Sequence, residues 1–234
     1  MNKSLMMIIL ISSMFVVQGC VPEVRNDLRV EEKSLISPDE LLLKAAEGRN
    51  TESIKKSIQE GANINAQDQS GRTATMIATY NNDLASARTL IEAGADVNVQ
   101  DDMKNNPFLY AGAEGYLDIL KLTIDAGADP GITNRYGGTA LIPASEHGYV
   151  DVVRELLTQT SVNVDHVNQL GWTALLEAII LNDGSTRQQE TIQLLIDHGA
   201  DVNLSDRDGV SPLIHAKNKG FKEIEAILVR AGAK

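Results

Sequence analysis

From Gly61 to Gly232 a tripeptide of the form Gly-Ala-Asp/Asn, intact or worn, returns at a nearly constant interval. It reads Gly61-Ala62-Asn63, Gly94-Ala95-Asp96, Gly127-Ala128-Asp129, a degraded Thr160-Ser161, Gly199-Ala200-Asp201 and Gly232-Ala233, with steps of 33, 33, 33, 39 and 33 residues. A self-similar period of this length builds a stack of small units, none of which buries its apolar face alone. That bounds function as well as fold. A stack offers a long surface for holding something and seldom a pocket for chemistry.

A second element keeps register with the first. It reads Asp68-Gln-Ser-Gly71-Arg-Thr73-Ala-Thr-Met-Ile-Ala78 and returns over Asp101 to Ala111, Asn134 to Ala144, Asn168 to Ala178 and Asp206 to Ala216. Each copy opens with a hairpin-like turn. A Thr, Asn or Ser followed by Ala or Pro then starts a short helix, the small polar residue as N-cap and Pro in the first turn. In the second half of each unit apolar residues fall at helical spacing, as in Ile119, Leu120, Leu122 and Ile124. The recurrent Gly ends that second helix, since Gly takes the left-handed conformation at no steric cost.

Turn, helix, turn, helix with Asp-x-x-Gly-x-Thr-Ala/Pro-Leu at its head resembles the ankyrin repeat, over Pro38 to Lys234. The resemblance implies an all-α solenoid of about six helix-turn-helix units joined by short hairpin turns. The first (Ser37 to Ala66) and the last (ending at Lys234) are divergent capping units. Three departures carry expectations. The His usual after Thr-Pro-Leu is replaced by Met76, Leu109, Ile142, Leu176 and Ile214, so apolar contact should hold the seam between units. Lys104 stands where the turn Gly belongs, so that hairpin should be distorted. Thr160 replaces the helix-ending Gly, so the loop Thr158 to His166 should depart from its neighbours. A five-residue insertion within Asn182 to Gln189 reads either as a tolerated surface loop or as a reader loop at one end of a groove.

The N-terminus has another character. Lys3 precedes a mostly apolar run from Leu5 to Val17, too short to span a bilayer comfortably but suited to a signal peptide. Val17-Gln18-Gly19-Cys20 resembles the lipobox of bacterial lipoproteins, with Gln18 where a small residue is usual. The expected organisation is a signal peptide at 1–19, an acylated Cys20 with a flexible tether at 20–36, and the repeat domain at 37–234. An ordinary secretory signal with an incidental Cys20 is the alternative. The lipoprotein reading implies a membrane anchor through the N-terminal lipid and a chain facing the periplasm or the cell exterior. Val21, in place of an Asp, hints at outer-membrane sorting. The only cysteine in the chain is Cys20, so no internal disulfide is possible.

The chain of 234 residues carries a net charge of -11, which argues against nucleic acid and anionic lipid headgroups as partners. Chemistry has no support. No phosphate-binding Gly-rich loop and no Gly-x-Ser-x-Gly occurs, and His147, His166, His198 and His215 sit in different units without ligand spacing. No catalytic residue, metal site or cofactor is expected. The resemblance instead implies a protein partner on a concave face made of hairpin tips and the exposed ends of the first helices. Mapped onto this chain, that face holds Arg72, Tyr80, Met103, Glu114, Arg135, Tyr136, His147, Leu170 and Trp172. Trp, Tyr and Arg dominate binding energy at interfaces, and only 4% of this chain is aromatic. Trp172 and Leu170 also suit packing against the neighbouring hairpin. The leading expectation is an exported, monomeric, non-catalytic binding module. The alternatives are an immunity or inhibitor protein against a cell-envelope toxin such as a lipase, and an accessory factor for an exported enzyme such as a catalase.

Overall fold

The computed structural model describes residues 36–234; the stretches read above as signal peptide and tether, with Cys20, lie outside the described residues up to residue 35. Among the described residues twelve helices form six consecutive pairs. They are α1 (Pro38–Glu47) with α2 (Thr51–Gln59), α3 (Ala74–Tyr80) with α4 (Leu84–Glu92), and α5 (Pro107–Glu114) with α6 (Leu117–Asp125). Then come α7 (Leu141–Glu146) with α8 (Val150–Gln159), α9 (Ala174–Ile180) with α10 (Thr186–Asp197), and α11 (Pro212–Lys219) with α12 (Lys222–Arg230). Odd-numbered helices touch the next odd-numbered helix and even-numbered ones the next even-numbered one, giving two parallel layers. The only extended pairing among the described residues is a single bridge, Gln67 opposite Thr73. The architecture is therefore the expected all-α solenoid.

The local chemistry explains the helix ends. Thr73, Asn106, Thr173 and Ser211 each accept a hydrogen bond from the N–H three residues on. Thr139 does not. Its counterparts offer their carbonyls to the N–H four residues on, but here that residue is Pro143, which has none. The Thr139 carbonyl takes the Ile142 N–H instead, at 3.2 Å, so α7 begins one residue late and the Thr139 hydroxyl is buried without a partner. At the other ends, Gly61, Gly94, Gly127, Gly199 and Gly232 take φ of 89°, 93°, 83°, 92° and 94°. Thr160 stays extended at φ -129° and ψ 167°, and its hydroxyl donates to the Leu156 carbonyl at 2.6 Å. That loop departs as expected.

Besides the lost cap at Thr139, a second expectation is corrected. The hairpin with Lys104 is not distorted: Lys104 adopts the left-handed φ of 58°, and its N–H donates to the Asp101 carbonyl at 2.8 Å, as Gly71 does to Asp68 at 3.0 Å. The turn's hydrogen bonds outweigh a left-handed cost of about 1–2 kcal/mol.

Each unit buries its flank only under the next. Leu42, Ile54, Leu90, Phe108, Leu120, Leu141, Leu156, Leu175, Leu195 and Leu228 lie in one continuous core, each contributing about 1.5–3 kcal/mol as an upper bound. Met76, Leu109, Ile142 and Leu176 are buried in the seam, while Ile214, in the last described unit, is exposed. The seam also carries hydrogen bonds that the apolar reading omitted. Asn65, Asn98, Asp165 and Asn203 each accept the backbone N–H of a residue one unit on, Asp96, Asp129, Asp201 and Lys234, at 2.8–3.0 Å. Gly131, with no side chain to offer, interrupts this ladder next to the irregular Thr160 loop.

The insertion lengthens α10 to 12 residues and braces its unit against both neighbours. Asn182 and Gln188 both donate to the Glu146 carbonyl, at 2.7 and 2.9 Å, and Gly184 lies against the Phe221 ring.

Candidate binding cleft

The residue opening each hairpin builds the surface. Its side-chain oxygen accepts the N–H groups two and four residues on: Asp101 from Met103 and Asn105, Asn134 from Tyr136 and Gly138, Asn168 from Leu170 and Trp172, all at 2.9–3.1 Å. Met103, Tyr136 and Leu170 thus hold the same slot in three consecutive units. The Gln169 N–H donates to the Tyr136 carbonyl at 2.9 Å, which fastens the last two tips side by side. The three side chains are 46%, 56% and 57% exposed.

Behind them lies a cleft of about 410 Å³ over the odd-numbered layer. Met103, Tyr136, Leu170 and Leu181 form its apolar lip, Tyr110, Ile142 and Pro143 its floor, and Glu114, Glu146 and Glu177 its acidic side. Arg135 is the one basic side chain in the lining. Its guanidinium lies 4.7 Å above the Tyr136 ring and Nη1 donates to Met103 Sδ at 3.3 Å, so it stiffens the rim.

Of the residues singled out from sequence, the fold brings Met103, Glu114, Arg135, Tyr136 and Leu170 to this cleft. Arg72 and Tyr80 line a shallower neighbour that shares Met103, and both are already engaged. Arg72 pairs with Asp68 at 2.6 Å and Glu47 at 3.4 Å. The Tyr80 hydroxyl donates to Asp101 Oδ2 at 2.5 Å, and burial first, then that carboxylate, push its pKa up to about 12. Its ring meets Tyr110 edge-on at 4.4 Å, which joins the two clefts. His147 and Trp172 are not brought in. The His147 ring packs edge-on against Tyr149 at 5.3 Å, and Trp172 is half-buried outside the lining.

Sequence reasoning missed Glu177. It lies on α9, only 6% exposed, and Asn168 Nδ2 donates to its Oε1 at 2.6 Å. Burial, reinforced by the Glu146 charge, pushes its pKa up to about 7 despite that hydrogen bond. The signal for it was in the register. Glu177 fills the slot held by Ile77, Tyr110, Pro143 and His215 in other units, so a carboxyl at a floor position stands out once the copies are aligned. The turn residue answers to it. Asp101 and Asp206 use their second oxygen to accept from Tyr80 and His215, whereas the acceptor Glu177 faces Asn168, which can donate.

Among the described residues no group of three or more His, Cys, Asp or Glu is placed to hold a metal, and no helix is long and apolar enough to cross a membrane. What this arrangement can do is hold an extended segment by its side chains.

The family profile described as "Ankyrin repeats (3 copies)" matches residues 13–101, 41–133 and 108–206. The ankyrin repeat protein YahD of Escherichia coli (strain K12) is 52% identical over 81 residues, which are 35% of this chain and 40% of that protein. This chain therefore spans well under two thirds of that relative's length. The crystal structure of an ankyrin repeat domain from Acinetobacter baumannii AYE superposes with a TM-score of 0.81 at 52% identity, covering 82% of this chain and 98% of that one. The ankyrin repeat domain of Bcl-3, a member of the IkappaB protein family, superposes with a TM-score of 0.74 at 25% identity, covering 83% and 86%.

Proposed function

The chain belongs to the ankyrin-repeat family, and from that premise we propose that it is a non-catalytic module whose protein partner lies in the cleft lined by Met103, Tyr136 and Leu170. One observation carries this. Four of the large hydrophobic side chains exposed among the described residues, Met103, Tyr136, Leu170 and Leu181, converge on a single cleft rather than scattering. Apolar patches rimmed by polar groups mark interaction sites, and Tyr and Met are enriched in them. Ordered turns fix these side chains beforehand, so little conformational entropy is lost on association.

The same proposal places the module at a membrane. Its support is the apolar stretch ahead of Val17-Gln18-Gly19-Cys20, with acylation of the sole Cys20 leaving a short tether before Ser37. Treated as a flexible coil, such a tether reaches about 20–25 Å. The partner is then a protein of the cell envelope or of the medium outside it.

The test is capture by the full-length chain from envelope and secreted fractions, beside the double variant Tyr136→Ala with Leu170→Ala. A protein held by the wild type and lost by the variant supports the cleft; equal capture by both contradicts it. In the same cells, labelled palmitate should mark the wild type and spare Cys20→Ala. Label on both, or on neither, removes the anchor.

A further inference from the structure

The exposed lip of the cleft is apolar, yet its side wall is acidic and its floor holds a carboxyl that no cation balances. Glu177 has one hydrogen-bond donor in the structure, Asn168 Nδ2. The elements packed against α9 are α7, α10 and α11. From α7 comes Glu146, a second carboxylate that raises the energy of the first. From α10 comes Gln188, whose amide is spent on the Glu146 carbonyl. From α11 come His215, which donates to Asp206 Oδ2 at 2.7 Å, and Lys219, whose Nζ donates to the Asn182 carbonyl at 3.3 Å. Across the cleft Glu114 adds a third carboxylate, and Arg135 is held on the rim by Tyr136 and Met103. Among the described residues none of Glu114, Glu146 and Glu177 takes part in an ion pair. A half-sheltered carboxylate pair beside an apolar lip is poorly solvated when empty and complementary to a cation carried on an apolar stem.

We propose that the cleft recognises a partner segment in which a lysine or arginine is flanked by apolar side chains. The cation sits between Glu177 and Glu146, and its neighbours rest on Met103, Tyr136 and Leu170. This rests on the reading of the cleft as a protein-binding site and adds what kind of segment it takes. The long apolar stem of Lys or Arg suits the passage from lip to floor, and the anionic pocket repels an acidic competitor. Binding of the cation favours the ionised form of Glu177, so uptake is coupled to loss of its proton. With that carboxyl titrating at about 7, affinity for a permanently cationic segment falls about tenfold between pH 8 and pH 6.

A phage-displayed library of random dodecapeptides panned on the full-length chain at pH 8 tests this. Enriched peptides should carry Lys or Arg next to apolar or aromatic residues. A synthetic peptide from that set should bind about tenfold or more weaker to Glu177→Gln, and Glu177→Gln should lose the pH dependence that the wild type shows. Because Gln keeps the acceptor for Asn168 and removes a buried charge, weaker binding cannot be laid to unfolding; the variant's thermal transition at pH 8 checks that. Neutral or acidic peptides whose binding falls with Tyr136→Ala and Leu170→Ala overturn the cation while leaving the cleft as a binding site. Basic peptides that bind Glu177→Gln unchanged do the same. Peptides indifferent to Tyr136→Ala and Leu170→Ala, or no enrichment at all, overturn both.

Discussion

Glu177 is the residue where local chemistry and the stability of the whole chain meet. Its ordinary pKa of 4.5 is raised to about 7 in the folded state, chiefly by burial. Below pH 4.5 both folded and unfolded chains hold the proton, and the carboxyl costs nothing. Between that and about pH 7 the folded chain binds more protons than the unfolded one, so stability falls as pH rises. Above about pH 7 the full cost, on the order of 1–3 kcal/mol, is present. Glu177→Gln is therefore expected to match the wild type at pH 4.5 and to exceed it by that amount at pH 8, measured by urea unfolding at both values. An equal difference at the two pH values would show that the carboxyl is not sheltered. The same residue explains what a single sequence hides. Nothing in Ala174-Leu-Leu-Glu177 marks the glutamate as unusual until its slot is compared with those of Tyr110 and Pro143. Part of its raised pKa comes from the charge of Glu146, which lies on α7 and not on its own helix.

At the scale of elements, the helices and their ends were legible because each rests on nearest neighbours in the chain. The caps at Thr73, Asn106, Thr173 and Ser211 and the left-handed glycines all stand where pattern put them. What pattern misjudged were competitions. Lys104 keeps its turn because the hairpin's hydrogen bonds outweigh a modest backbone cost, and Thr139 loses its cap because Pro143 lacks one N–H. Contacts between units were the least legible. Gly112 in α5 shows why. A Cβ placed there would meet the Ala140 Cβ at 2.9 Å, so that unit and the next approach as closely as a missing methyl allows. Helix propensity alone would have Gly112→Ala gain about 1 kcal/mol. The close packing predicts a loss of about 1–3 kcal/mol instead, read as a lowered midpoint in denaturant unfolding. A stabilised variant would mean that α5 and α7 can separate freely.

Over the whole molecule, the period in the sequence specifies the stack, and the stack decides where side chains far apart in the chain meet. Met103, Tyr136 and Leu170 are 33 and 34 residues apart, and consecutive hairpins set them in one row. That much followed from the repeat. Which members of the face join the cleft did not, because it turned on where each neighbour already finds a partner. Arg72 and Tyr80 are held by Asp68 and Asp101, while His147 turns to Tyr149. The residues free to meet another molecule are those the structure leaves exposed and apolar, beside carboxylates without a cation. The most direct measurement of this account is a map of amide and methyl chemical-shift changes in the labelled chain as the captured partner, or a peptide selected on it, is added. The account predicts changes at Met103, Tyr136, Leu170, Leu181 and Glu177, with α4, α6 and α12 unmoved. Changes concentrated on the even-numbered layer, with that row silent, would contradict it.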